Sequence, residues 1–154
     1  MQQLADLLTQ EILCLRQLLD TLHREHQALL TSDASAMELI AAEKQQSLAN
    51  QSRATQARLH FTQQNANGDP QQQLQQLVDS STKPQALQQI VDETTSLAQQ
   101  CQEKNRANGR LINQKQQQAQ GALSILRQTD SNPATYSGHG STPNRQQGRT
   151  LGKA

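Results

Sequence analysis

The chain has 154 residues, of which 33% are hydrophobic and 1% aromatic, with one Phe, one Tyr and no Trp. An average globular domain is roughly 45–50% apolar with Gly included, so a large single core is excluded and long helices sharing a narrow apolar seam are expected. A net charge of +1 gives no global electrostatic case for nucleic acid, and single strands would lack aromatic stacking platforms. Gln makes up about a fifth of the residues, and it favours helix while solvating a surface without adding charge.

The first element in the chain is the clearest. From Gln2 to Leu30, Leu8, Ile12, Leu15, Leu19, Leu22 and Leu29 recur in steps of four and three, and His26 fills the missing place. Leu4, Leu7, Cys14 and Leu18 widen the stripe, so the segment predicts an amphipathic helix with a broad apolar face. Thr31 to Ala34 predicts a short turn. Ser35-Ala36-Met37-Glu38 has the spacing of a capping box, with Ser35 as the cap. A second helix is expected to follow to about Gln64, with a thinner, Ala-rich apolar face. Asn67-Gly68-Asp69-Pro70 breaks the pattern, and Leu74, Leu77 and Val78 suggest a short helical piece. After a second break at Ser80 to Pro84, with Pro84 in a first turn capped by Thr82 or Lys83, the third long helix runs to about Arg127. Its expected seam includes Leu87, Val91, Thr94, Ala98, Cys101, Asn105, Asn108, Ile112, Lys115, Ala119, Ala122 and Leu126.

The whole predicts an all-α fold, an elongated antiparallel helical bundle or coiled coil over residues 1–130. From Ser131 the composition turns to Ser, Gly, Pro, Thr and Asn with Arg145, Arg149 and Lys153, which predicts a disordered basic tail over residues 131–154. No basic start leads into a pure apolar run, so no secretory signal is expected, and nothing nears the roughly 18 apolar residues of a membrane span. Cys14 and Cys101 have no CxxC spacing and are expected to be reduced core thiols.

Charge is uneven along the chain. Residues 1–43 hold Asp6, Glu11, Asp20, Glu25, Asp33, Glu38 and Glu43 against Arg16 and Arg24, whereas residues 104–127 hold Lys104, Arg106, Arg110, Lys115 and Arg127 and no acid. These stretches could attract each other along antiparallel helices, or each could be a solvated face. His23 and His26, with Glu25 beside them, are too few convergent ligands for a metal. No phosphate-cradling loop and no catalytic triad can be nominated, so no cofactor and no enzymatic site are expected. Asn105 and Asn108 lie on the seam, where an amide must hydrogen-bond, fixing register, or face a partner. Gly109 and Gly121 interrupt the same helix, either for close helix approach or to leave that end easy to remodel.

Three local patterns resemble the FlgN family of flagellar export chaperones. Glu43-Lys44 with Leu48 is similar to the family's acidic-Lys pair followed by Leu. Asn105-x-x-Asn108-Gly109-x-Leu111-Ile112, followed by Ala122-Leu123-x-x-Leu126, resembles its signature in the last helix. Tyr136-Ser137-Gly138-His139-Gly140 resembles its Tyr-Gly-x-x-Gly element, with Ser137 in place of the Gly that often follows the Tyr. The resemblance spans most of the chain and leaves the Gln-rich middle unmatched. It implies a cytosolic chaperone, monomeric or weakly dimeric when free. Its clients would be the C-terminal helical segments of the hook–filament junction proteins FlgK and FlgL, delivered to the export gate component FlhA. It also points to client contact through Asn105, Asn108, Leu111, Ile112, Ala119, Leu123 and Leu126, with Tyr136 as the gate contact. The alternative is a structural coiled-coil protein that uses its seam for self-association, and an adaptor of another secretion system is a third reading.

Overall fold

The structure, a computed structural model, describes residues 2–130. Four helices follow one another: α1 (Gln2–Thr31), α2 (Ala34–Asn65), α3 (Pro70–Asp79) and α4 (Pro84–Asp130), with no strand among the described residues. The helices and breaks fall where the periodicity put them. The expected tail over residues 131–154 lies outside the described residues. A boundary between two compact units falls inside α4, after Gln117.

The caps differ in detail from the sequence reading. Asp33, not Ser35, caps α2: its carboxylate accepts from the Ala36 N–H at 3.0 Å, and Ser35 is already inside the first turn. The cap thus falls two residues earlier than expected, directly after Ser32, which adopts a positive φ of 55°. The capping box occurs instead at α3. There Asp69 accepts from the Gln71 and Gln72 N–H groups at 2.9 Å each, Gln72 Oε1 accepts from the Asp69 N–H, and Pro70 takes the first helical position. Gly68 precedes it at φ 106°, where an added Cβ would come within 2.5 Å of Gln72 Oε1. At α4 the Lys83 carbonyl accepts from the Leu87 N–H at 3.1 Å, so Lys83 rather than Thr82 takes the cap position.

Helix α1 is the shared element of the compact unit ending at Gln117. Leu8, Leu15, Leu22 and Leu29, all buried, recur every seventh residue, and Leu4, Glu11, Leu18 and Glu25 form a second such series. This seven-residue repetition is that of coiled-coil packing. Toward α2, Thr21 meets Ser47, Glu25 meets Lys44, and Glu11 meets Thr55 and Arg58, so partners fall in sequence as α1 rises and the two helices are antiparallel. Toward α4, the Leu15 carbonyl accepts from Cys101 Sγ and the Leu22 carbonyl accepts from Asn108 Nδ2, so α1 and α4 run parallel. The antiparallel pairing expected of the bundle is thus that of α1 with α2.

Two apolar clusters result. Leu4 and Leu8 pack with Leu77 and Val78 of α3 and Leu87 of α4, flanked by Phe61, Leu74 and Ile90. Leu15, Leu18 and Leu22 pack with Cys101, flanked by Leu97 and Ala98. Each buried leucine contributes about 2 kcal/mol of transfer free energy before chain entropy is counted. The short α3 therefore caps the end where α2 finishes and α4 begins.

Of the two readings left open for the charge pattern, attraction between the acids of residues 1–43 and the bases of residues 104–127 is not what the interhelical ion pairs show. Helix α2 supplies most partners instead. Arg58 Nε donates to Glu11 at 2.6 Å, Lys44 Nζ donates to Glu25 at 2.9 Å, and Arg24 of α1 pairs with Glu43. Between α1 and α4 the pair is Arg16 with Glu93, with the signs reversed and both groups solvated. Helix α4 runs parallel to α1, and it is α2 that presents bases to Glu11 and Glu25.

Glu11 is 3% exposed and takes hydrogen bonds from Thr55 and Arg58. Arg58→Ala leaves that carboxylate without its counter-charge, and it is expected to destabilise the fold by about 3 kcal/mol in urea titration, since removing one member of a buried pair costs far more than replacing both. Exchanging Glu11 and Arg58 together for Leu and Met should recover most of the loss. Equal loss from the single and double replacements would show that the ion pair is not the cause.

Candidate functional site

The sequence-derived site residues all lie on α4 except Tyr136, which lies outside the described residues. The structure separates them into three settings. Asn108 is fully buried, Leu111 and Ile112 are half-buried, and Asn105, Ala119, Leu123 and Leu126 are exposed.

Asn108 sits at the end of a series. The buried positions of α4 are Leu87, Thr94, Cys101 and Asn108, one every seven residues, and Lys115, half-buried, is the next. After Cys101, which packs among leucines of α1, the series turns polar at Asn108 and Lys115. At Asn108 the contact with α1 carries three hydrogen bonds. Its Nδ2 donates to the Leu22 carbonyl and to Glu25 Oε2 at 2.8 Å each, and its Oδ1 lies 2.9 Å from His26 Nδ1, which therefore carries the proton. Lys44 from α2 holds the same Glu25 carboxylate through both oxygens. Three helices meet in one polar node, and every polar atom of the Asn108 side chain has a partner. Of the two readings left open for the asparagines, Asn108 follows the register-setting one, and Asn105 faces solvent one turn earlier. Lys115 then donates to Ser32 Oγ at 2.7 Å, at the end of α1.

The sequence reading did not find Glu25, His26 and Lys44 as members of this node. The spacing of Glu11 and Glu25, fourteen residues apart within one seven-residue series, was the available signal: acids at seam positions need dedicated partners. The Glu43-Lys44 pair has a structural use here, since each residue binds a charged group of α1. Leu48, which follows it, remains 43% exposed.

Over residues 116–129 every side chain is exposed. Leu123, Ile125 and Leu126 keep 54%, 66% and 61% of their surface open. Ala119, Ala122, Leu123 and Leu126 share one side of the helix by their spacing, and Ile125 lies off that side. An uncovered leucine-bearing helical face can accept another amphipathic helix. Cys101 cannot serve as a ready nucleophile, because burial pushes its thiol pKa up. No group of three or more His, Cys, Asp or Glu residues that could hold a metal occurs among the described residues. Nor is any helix among them long and apolar enough to cross a membrane.

The fold and this surface define a class, a helical protein with an uncovered apolar face near the end of its last helix. The model of the family described as FlgN protein matches residues 1–144, and the chain belongs to that family. It is also similar to a crystal structure described as that of a flagella synthesis protein FlgN from Pseudomonas aeruginosa. Identity is 26%, the TM-score is 0.65, and the match covers 75% of this chain and 90% of the other. No match is found among curated proteins. The family gives the chain a role in flagellar assembly, with flagellar proteins as its partners.

The contrast between the two asparagines is measurable. Asn108→Ala removes donors from the Leu22 carbonyl and Glu25 and leaves His26 unpaired, so a loss of about 2 kcal/mol is expected in thermal unfolding. Asn105→Ala should change stability by less than about 0.5 kcal/mol. Similar losses at the two sites would remove the node from the account.

Proposed function

We propose that this chain is a cytosolic export chaperone that binds the C-terminal helical segments of FlgK and FlgL, keeps them from assembling early, and delivers them to FlhA at the export gate. The observation that carries the reading is the leucine-bearing stretch of α4 left uncovered over residues 116–129. Such a stretch masks a client's apolar face by covering it with its own, a mode that needs no nucleotide or metal. Contact is assigned to Leu111, Ile112, Ala119, Leu123 and Leu126. Asn105, exposed beside them, helps set orientation. Asn108 takes part through the node that holds this part of α4. The alternative, a self-associating coiled-coil protein, uses the same apolar face against a second copy. It predicts a stable oligomer that ignores client peptides, whereas the chaperone is monomeric or weakly dimeric until a client is added.

Leu123→Asp with Leu126→Asp is expected to abolish binding of the FlgK and FlgL segments in calorimetry while helicity by circular dichroism stays nearly unchanged. Both side chains already face solvent, and the cost of burying a charge arises only on binding. Full affinity in this variant would place the client elsewhere.

Delivery is assigned to Tyr136, because one aromatic side chain supplies a large contact area at modest entropic cost. Tyr136→Ala should keep client affinity and weaken binding to the cytosolic part of FlhA, with reduced motility. A lowered melting temperature with intact FlhA binding would show instead that the ring packs on its own chain.

A further inference from the structure

We infer that the part of α4 between Gly109 and Gln117 is a latched segment, which undocks from α1 about a hinge at Gly109 and so governs access to Leu111 and Ile112. The inference rests on the reading above that these two residues meet a partner, because both are half-buried in the structure.

Three independent observations support it. The first is the chemistry of the contact. Up to Cys101, α4 is held by leucines of α1 and its own Leu97 and Ala98. From Asn108 onward the hydrogen bonds are those of the Asn108 amide with Leu22, Glu25 and His26, and of Lys115 with Ser32, and the apolar contact is reduced to the half-buried Leu111 and Ile112. Apolar contacts are lost outright when two helices part. Hydrogen bonds are replaced by bonds to water, so their net contribution is small. A segment held by polar contacts can therefore separate at a free energy well below that of global unfolding.

The second is Gly109. Nothing lies within 4 Å of where a Cβ would stand, so no close helix approach requires a glycine there. A residue that weakens the helix without a packing reason, placed next to the last buried position of the seam, is a point where α4 can bend. The third is that the node does not depend on α4 for its integrity. Lys44 of α2 donates to both oxygens of Glu25, so release of α4 leaves that carboxylate with a counter-charge.

Undocking turns Leu111 and Ile112 from half-covered bundle residues into free contact residues. Partner binding and latch opening are then thermodynamically coupled: whatever favours the open form raises apparent affinity, by no more than the closed fraction allows.

The test is native-state amide exchange on the full chain without any partner, followed by binding of the FlgK and FlgL segments. In the wild type, amides of residues 109–117 should exchange at least tenfold faster than those of residues 87–101. Asn108→Asp keeps the shape but sets an acceptor against the Leu22 carbonyl and a second carboxylate against Glu25, and it should raise exchange over 109–117 a further tenfold with residues 87–101 unchanged. Lys115→Ala, a milder variant that keeps the node, should raise it a fewfold and serves if Asn108→Asp does not fold. Gly109→Ala should slow it about fivefold, the equilibrium equivalent of the Gly–Ala difference in a helix. The order of client affinity should be Asn108→Asp, then wild type, then Gly109→Ala. Exchange over 109–117 that matches residues 87–101 in every variant would overturn the latch, and so would a Gly109→Ala variant indistinguishable from wild type. Absence of client binding in the wild type would sink the chaperone reading but leave the exchange result to stand or fall alone.

Discussion

The compact unit depends on one helix serving two neighbours with different chemistry. Leucine at every seventh position from Leu8 to Leu29 gives α1 a continuous apolar seam, whereas the series through Glu11 and Glu25 places carboxylates where a seam residue should be. A leucine seam is tolerant of small slips. A buried carboxylate is not, because it is costly wherever its partner is missing. Glu11 with Thr55 and Arg58, and Glu25 with Lys44, therefore act as two fixed points that set α2 against α1 in one antiparallel register. Helix α2 needs such fixed points. Its buried residues are Ile40, Ser47, Ala54 and Thr62, which offer too little apolar bulk to choose a register by packing alone.

Helix α4 solves its docking in the opposite way. Its strongest contacts are apolar and lie at its start, where Leu87 joins Leu4, Leu8, Leu77 and Val78. A second apolar contact follows at Cys101, among Leu15, Leu18 and Leu22, and the next seam position, Asn108, contributes specificity and little apolar burial. The solvated pair between Arg16 and Glu93 adds little, because exposed ion pairs contribute about 0–1 kcal/mol. The stability of α4 on α1 is thus concentrated at one end, and its orientation is fixed near the other by hydrogen bonds.

Much of this was legible in the sequence. The four–three spacing of Leu8 to Leu29 and of Leu87 to Asn108 located the long helices, Asn67-Gly68-Asp69-Pro70 marked the break before α3, and Lys83-Pro84 marked the start of α4. These are local signals, written in the residues that make the contact. Helix direction was not legible, because the acids of α1 and the bases of residues 104–127 fit an antiparallel pair as well as they fit solvent. The short segment α3 allows α4 to return parallel to α1, and no local pattern reports that. Asn105 and Asn108 show the same limit. Both have the correct spacing for the seam, but only Asn108 finds the Leu22 carbonyl, Glu25 and His26 opposite it. The distinction lies in the partner helix, 82 to 86 residues away in sequence.

The loosening of the α4 seam does not come from a shortage of partners on α1. Leu22 and Leu29 continue the leucine series to the end of that helix and are buried. An α4 with leucine at positions 108 and 115 would set apolar side chains against them, each worth about 2 kcal/mol before the loss of the Asn108 hydrogen bonds is counted. Such a helix would hold Leu111 and Ile112 against the bundle at all times. Asn108 and Lys115 keep the register of docking while withholding the apolar energy that would make it permanent. Leu123, Ile125 and Leu126 show that α4 does not lack large apolar residues. They are simply placed after the point where the seam has turned polar, on side chains that α4 leaves uncovered. The chain therefore divides its scarce apolar residues between holding itself together and presenting a surface, and Asn108 marks where the first use gives way to the second.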